Sequence, residues 1–117
     1  MGETQLISFP SDDHLAAAVA EQWLSAIASA QLAGRKHLVA LSGGRITKKL
    51  FASAVARSRQ RKLTFENVEF FWADERCVPP TDAESNYRLA YENLLTLVGV
   101  SPWVVHRIAG ELLPADA

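Results

Sequence analysis

Apolar residues recur at helical spacing in the first third of the chain. Between Ser11 and Leu32, large apolar residues fall four positions apart, and polar residues occupy the opposite side. These apolar residues are Leu15, Val19, Trp23 and Ile27. Ser11 is suited to accept a hydrogen bond from the first amides, and Gly34 is suited to end the helix. The pattern predicts one amphipathic helix over 11–32.

Short apolar runs further along the chain predict strands. His37–Leu41 is apolar without alternation, which is typical of a parallel strand covered on both faces. Val68–Ala73 is rich in strand formers and stops at a charged cluster. Between the two runs, apolar residues at helical spacing predict a helix over Ile46–Arg59 that packs back on the first strand. Trp103–Ile108 and Gln5–Phe9 are weaker candidates for further strands.

A third helix is predicted after the second strand. Ser85 is a good N-cap, Gly99 stands where a C-cap glycine is expected, and apolar residues line one face between them. Strand and helix signals therefore alternate along the chain. This order predicts the α/β class, with a three-layer, mainly parallel sheet flanked by helices and a single domain over 1–117.

Composition excludes several broad classes of function. The 117 residues carry a net charge of -1, which provides no overall field for nucleic acid or for an anionic membrane. Seven basic residues lie between Arg45 and Lys62 without an acid, but a solvated helix face explains them better than a nucleic-acid surface. The single cysteine, Cys77, rules out an internal disulfide. We find no signal peptide or membrane span, so we expect a cytoplasmic protein with no membrane or nucleic-acid partner.

Two polar clusters follow the two main predicted strands. Ser42-Gly43-Gly44 comes after the first strand, and Asp74-Glu75-Arg76 comes after the second. Ligands of parallel sheets bind at the carboxyl ends of the strands, so both clusters are expected at one edge. The glycines and the following helix start suit a phosphate, with Arg45, Lys48 and Arg76 as candidate cations. The alternative is a glycine pair that only makes a tight turn.

Other reactive side chains receive less support from the sequence. Asp74 and Glu75 are neighbours on an extended segment and point opposite ways, so one of them is expected to make a structural hydrogen bond. No histidine has a metal-ligand spacing with Cys77, so no metal site is predicted. Ser42 lacks the surroundings of a serine nucleophile. Of the histidines, only His106 is a weak candidate for reaching the strand ends.

Three stretches resemble the first half of 6-phosphogluconolactonases, a family related to the glucosamine-6-phosphate deaminases. They read VALSGGRITKKLF, VEFFWADERCVPPTDAESNYRLAYENLL and VHRIAGE, in the family's order and spacing. The resemblance implies a Rossmann-like half of the lactonase/deaminase fold. It also implies hydrolysis of 6-phospho-glucono-δ-lactone to 6-phosphogluconate in the pentose phosphate pathway, without a cofactor. Arg76 favours the lactonase branch, because the deaminases usually carry tyrosine at this position.

The resemblance also implies roles for individual residues. Asp74 is the implied catalytic residue, orienting water or the sugar. The implied residues for phosphate and substrate binding are Ser42, Gly43, Gly44, Arg45, Thr47 and Arg76. The loop departs from the family pattern S-G-G-S-T-P, because Ile46 replaces a hydroxyl and Thr47 replaces the proline. The lost hydroxyl donor weakens phosphate binding and Arg45 offers a charge-assisted bond, and the sequence leaves open which of the two effects is larger.

A second departure concerns the attacking water. Family members carry a later segment, like G-x-x-x-D-G-H-x-x-S-L-F-P, whose histidine is thought to activate water, and these 117 residues contain nothing like it. The leading interpretation is therefore a lactonase-like half domain that offers a sugar-phosphate site but does not turn over substrate efficiently on its own, and three other interpretations stay open. The chain is one half of a two-chain lactonase, a non-catalytic sugar-phosphate-binding or assembly module, or a truncated product. Without the later segment, the sheet is left with an unpaired edge strand and an uncovered apolar face. These features favour a homo-oligomer or a complementing chain that supplies the C-terminal half.

Overall fold

The computed structural model describes residues 11–112, in which three helical segments pack on a parallel sheet. Helix α1 spans Asp12–Leu32, strand β1 spans His37–Leu41, helix α2 spans Arg45–Arg61 and strand β2 spans Val68–Trp72. The predicted strand Gln5–Phe9 lies outside the described residues. The first two predicted helices and the two main predicted strands are confirmed, with small shifts of their ends.

The third helical segment is continuous but not uniform. It begins as α3 (Asn86–Ala90), passes through a π-helical turn (Tyr91–Leu95) and ends as α4 (Thr96–Val98). Ser85 caps its start by accepting from the Arg88 amide, and Gly99 ends it with a φ of 68°. The π turn adds a residue to one turn of the helix, and the adjacent side chains of Leu94 and Leu95 are both buried.

The last predicted strand is shorter than the sequence suggests. Pro102–Val104 forms a 3₁₀ turn, and only Val105–His106 pairs with the sheet as β3. The proline explains the late start of the strand, because its fixed φ suits the helical turn that includes Trp103 and Val104. The order of the sheet is β1-β2-β3, and both pairings are parallel.

The buried stripe of α1 differs from the one that the large apolar residues predict. The stripe is made mostly of small residues: Ala16, Ala20, Leu24, Ile27 and Ala30. Val19, expected in the core, is 39% exposed. Alanines let α1 lie close against α2, so the larger side chains Leu15 and Trp23 are left half-buried at the sides of the contact.

Helices cover one face of the sheet within residues 11–112. Side chains on that face of β2 are buried: Val68, Phe70 and Trp72. On the opposite face, Leu38 is 63% exposed and Phe71 is 37% exposed. The α/β class and the parallel strands are confirmed. Within residues 11–112 the helices cover β1 on one face only, whereas its apolar run is typical of a strand covered on both faces, so an apolar face of the sheet stays open. We call this surface, formed by Leu38, Ala40, Glu69, Phe71 and His106, the open face.

Polar contacts hold the ends of the elements in place. The Asn67 side-chain amide donates to the carbonyls of Ile27 and Arg35, and Gln31 donates to the Asn67 side chain at 2.8 Å. Trp23 donates its indole N–H to Nε2 of His37 at 3.1 Å. Burial lowers the pKa of His37, which favours the neutral ring that can accept this bond. These contacts fix the end of α1 against the start of β1.

Alanine substitutions of the two neighbouring phenylalanines of β2 test which face of the sheet packs against the core. Phe70→Ala removes a ring that is 0% exposed, and we expect it to lower the free energy of unfolding by about 3–5 kcal/mol. Phe71→Ala on the open face is expected to cost less than about 1 kcal/mol. Urea unfolding followed by tryptophan fluorescence measures both. Equal losses for the two variants would contradict the assignment of the faces.

Candidate functional site

The register of the sheet brings the two polar clusters to one edge. Leu41 pairs with Trp72, so β1 and β2 end at the same level, and the amide of Ala73 donates to the Leu41 carbonyl at 2.8 Å. The loop Ser42-Gly43-Gly44 and the loop Asp74-Glu75-Arg76 therefore leave the sheet side by side. Between them lies the start of α3. This edge is where the sequence predicts a ligand.

A cleft of about 390 Å³ opens at this edge. Its lining comes from the start of α2, the second loop and the start of α3. The lining residues are Gly44, Arg45, Lys48, Arg76, Ala83, Glu84, Ser85, Asn86 and Leu89. The volume is within the range of small-molecule sites, and the lining combines cations with backbone amides. A larger cavity of about 520 Å³ lies elsewhere, beside β3, and none of the predicted site residues lines it.

The start of α2 is shaped to meet an anion. Gly44 has a φ of 109°, a conformation that favours glycine, and it provides no side-chain cap. No acidic residue occupies the first turn of α2. The first amides of the helix are therefore left for another acceptor, and the helix dipole adds a partial positive charge.

Three cationic side chains surround these amides. Arg45 lies 3.2 Å from Asp12, with 83% of its side chain exposed. Arg76 lies 3.5 Å from Glu84, and both side chains are more than half exposed. Such exposed pairs are worth little, so an incoming anion competes with them readily. For Lys48, no carboxylate of residues 11–112 lies within ion-pairing distance.

The other predicted site residues form a hydrogen-bonded network beside the cleft. Ser42 donates its hydroxyl to Oδ1 of Asp74 at 3.0 Å. Thr47 donates to the carbonyl of Gly43 at 3.0 Å. Both hydroxyls are thus engaged within the protein, and neither Ser42 nor Thr47 lines the cleft. Of the seven predicted residues, Gly44, Arg45 and Arg76 line it directly, and Ser42, Gly43, Thr47 and Asp74 support it.

Glu75 holds the start of α3 in place. Its carboxylate accepts from the amides of Asn86 at 2.6 Å and Tyr87 at 3.0 Å, and from the Ser85 hydroxyl at 2.9 Å. Burial by itself raises the pKa of the Glu75 carboxyl, but these bonds and one from the Arg76 amide outweigh it and hold the pKa below its usual value. Asp74 faces Ser42 while Glu75 faces α3, as expected for neighbours on an extended segment.

The histidine that the sequence marks as a weak candidate lies elsewhere. Nε2 of His106 is 3.0 Å from Oε1 of Glu69, and its ring stacks on Phe71 at 4.6 Å between centroids. His106 therefore belongs to the open face and does not line the cleft. In the part of the chain from 11 to 112, no group of three or more His, Cys, Asp or Glu side chains is arranged to hold a metal ion. The same part contains no helix long and apolar enough to cross a bilayer.

Sequence reasoning missed two residues of the site. Asn86 donates to Asp74 and lines the cleft, and Glu84 pairs with Arg76 at its rim. Both lie directly beside Ser85, the predicted N-cap of the third helix. The available signal for Asn86 was only its polar side chain directly after the predicted N-cap, because its proximity to Gly43 is seen only in the structure.

Comparison with known proteins identifies relatives of the whole described region. The model of a family described as glucosamine-6-phosphate isomerases/6-phosphogluconolactonase matches residues 10–117. A 6-phosphogluconolactonase of Treponema pallidum is 40% identical over 79 residues, covering 68% of this chain and 32% of the relative. A 6-phosphogluconolactonase of Haemophilus influenzae is 33% identical over 108 residues, covering 92% of this chain and 45% of the relative.

The fold is also found in the deaminase branch. The structure of a monomeric glucosamine-6-phosphate deaminase superimposes with a TM-score of 0.85, covering 97% of this chain and 46% of the deaminase, at 12% sequence identity. At that identity the likeness concerns the fold alone. The chain spans less than half the length of each of these relatives.

Glu75→Gln tests the anchoring of α3. The variant keeps the shape but loses the charge that accepts several bonds, so we expect a loss of about 1–3 kcal/mol in the free energy of unfolding at pH 7. Because the pKa of Glu75 is lower in the folded state, its stabilisation is present above the ordinary carboxyl pKa of about 4.3 and is lost as the pH falls through the folded value. Unfolding curves at pH 7 and at about pH 3 measure the difference. A loss that is unchanged at about pH 3 would contradict the role of the charge.

Proposed function

The chain belongs to the family of glucosamine-6-phosphate isomerases and 6-phosphogluconolactonases, and from that premise we propose that its cleft binds 6-phosphogluconolactone and its product 6-phosphogluconate. The reaction that it serves is lactone hydrolysis in the pentose phosphate pathway. The amides of Gly43-Gly44 and the start of α2, with Arg45 and Arg76, hold the phosphate. Asp74 orients the sugar or the attacking water.

The observation that supports this proposal is that cationic side chains lie around the first amides of α2, which no side chain caps. Gly44, Arg45, Lys48 and Arg76 line one cleft, and the first turn of α2 has no acidic residue. A phosphate accepts hydrogen bonds on all of its outer oxygens, so it can use amides and guanidinium groups together. Arg76 suits bidentate binding, because the only described partner of its side chain is the exposed Glu84 carboxylate.

The lactonase reaction is favoured over deamination by two findings. The curated relatives named above are 6-phosphogluconolactonases, at 40% and 33% identity. The cluster after β2 ends in Arg76, whereas the deaminases that the sequence resembles usually have a tyrosine there. An arginine at this point adds a second cationic ligand for the phosphate in the cleft that Arg45 also lines.

Hydrolysis of the lactone needs a base for the attacking water. Water adds its oxygen to the carbonyl carbon, the bond from that carbon to the ring oxygen breaks, and a proton passes to the departing oxygen. In the part of the chain from 11 to 112 no histidine lines the cleft, and Oδ1 of Asp74 already accepts from Ser42 and Asn86. We therefore propose that Asp74 positions the reactants and that efficient turnover requires a base from outside these residues.

A second candidate function is one half of a two-chain lactonase, and the open face favours it. Leu38 and Phe71 leave apolar surface uncovered, and β3 pairs on one side only among the described strands. Either a second copy of this chain or a chain that supplies the other half of the fold would cover this surface. The base for hydrolysis then comes from the covering chain.

The phosphate site is tested by removing one cation. Arg76→Ala is expected to weaken 6-phosphogluconate binding by about tenfold, because a hydrogen bond to a charged group contributes about 1.5–3 kcal/mol. Calorimetric titration of the purified chain measures the affinity. The matched control is Arg59→Ala, which removes the same charge from the exposed far end of α2. Equal affinities of the Arg76→Ala variant and the wild type would remove Arg76 from the site.

Association through the open face is tested by placing a charge on it. Leu38→Glu is expected to shift the chain toward monomers in sedimentation at micromolar concentration, since the side chain is 63% exposed and contributes little to the core. The hydrolysis rate of fresh 6-phosphogluconolactone is measured on the same samples. If association creates the active site, the rate above the spontaneous reaction falls together with the oligomer. A wild-type chain that is monomeric at every concentration would rule out the homo-oligomer.

A further inference from the structure

Asn86 is a buried, hydrogen-bonded polar residue at the edge of the sheet. It is the first residue of α3, and only 7% of its surface is exposed. Its backbone amide is held by the Glu75 carboxylate at 2.6 Å. The half-buried Glu75 carboxylate thus fixes the backbone of Asn86 through a short charge-assisted hydrogen bond, which leaves the residue little freedom to move.

The side chain of Asn86 binds both the backbone and the side chain of Asp74. Its Nδ2 donates to the backbone carbonyl and to Oδ1 of Asp74, both at 3.3 Å. The same Oδ1 accepts from Ser42 at 3.0 Å. One carboxylate oxygen of Asp74 is therefore held by donors from both neighbouring segments, and its orientation is fixed relative to the first loop.

The other end of the Asn86 amide fills the space beside Gly43. A Cβ atom built on Gly43 would lie 2.0 Å from Oδ1 of Asn86 and 2.8 Å from its Cγ. The three nearest atoms to that Cβ all belong to Asn86. Gly43 has no positive φ, so the need for glycine at this position comes from Asn86 rather than from the backbone conformation.

We infer that Asn86 is a positioning residue that sets the Asp74 carboxylate against the Gly43-Gly44 loop, and so fixes the distance between the phosphate end and the sugar end of the cleft. This inference rests on the proposed function in one respect, which is that Asp74 contacts the sugar. Asparagine suits the role because its amide donates to the backbone carbonyl and to Oδ1 of Asp74, whereas an aspartate of the same shape would place a second negative charge beside that carboxylate.

The packing part of the inference is tested by a double-mutant cycle that needs no ligand. Gly43→Ala forces the Asn86 side chain out of place, so we expect the folding equilibrium constant to fall more than tenfold. In an Asn86→Ala background the same Gly43→Ala change is expected to alter that constant less than threefold, because the obstructing atoms are gone. Chemical unfolding of the four proteins measures the cycle. Additive losses would overturn the packing part.

The positioning part is tested by comparing two anions. Asn86→Ala and Asn86→Asp are titrated with 6-phosphogluconate and with inorganic phosphate. We expect the affinity for 6-phosphogluconate to fall at least fivefold more than the affinity for phosphate, since only the sugar acid reaches Asp74. The matched control is Asn93→Ala, because Asn93 lies on the same helical segment and donates only to the Leu89 carbonyl in its own helix.

The outcomes separate the inference from the proposed function. Equal losses for the two anions would make Asn86 a merely structural residue and overturn its positioning role. A wild-type chain that binds phosphate without any preference for 6-phosphogluconate would do the same. A wild-type chain that binds neither anion would refute the proposed function and the positioning role with it, and the double-mutant cycle would still decide the packing of Asn86 on Gly43.

Discussion

The parallel pairing of β1 and β2 is the constraint on which the site depends. Five residue pairs, from His37 with Val68 to Leu41 with Trp72, bring both strands to an end at the same level. A shift by one residue would turn Phe70 and Trp72 away from the helices and expose the core. The register is therefore fixed by burial. The position of the two loops follows from it without any contact between the loops themselves.

At this edge of the sheet, two adjacent acidic residues make contacts with different segments. Glu75 faces the start of α3 and satisfies its first amides, and Asp74 faces the glycine loop and its serine. The alternation of side chains along an extended segment enforces this division. Glu75 supplies the negative charge at the start of α3, and in the described residues Arg45 and Arg76 pair with Asp12 and Glu84 rather than with either of these two carboxylates. Glu75 therefore anchors α3, while Asp74 lies at the glycine loop, where we propose that the ligand binds.

Within residues 11–112, helices cover only one face of the sheet. The helices bury Val68, Phe70 and Trp72, while Leu38 and Phe71 stay exposed on the other side. Relatives of this chain are more than twice as long as the region that they share with it. An exposed apolar surface on a strand pair that is otherwise well packed favours a covering partner, and the cleft opens at the edge of the same sheet.

The sequence by itself determined the elements and their order, because hydrophobic spacing, the Ser11 and Ser85 caps and the glycines at 34 and 99 act over a few residues. It also placed the glycine turn and the Asp74-Glu75-Arg76 cluster at strand ends. It did not determine that α1 would bury its alanines, that Pro102 would shorten β3, or that Asn86 would join the two loops. Those features depend on which surfaces meet across the fold, and contacts between residues distant along the chain leave no periodic signal in a single sequence. Only the tertiary structure decided that the glycine at 43 is required by an asparagine forty-three positions later.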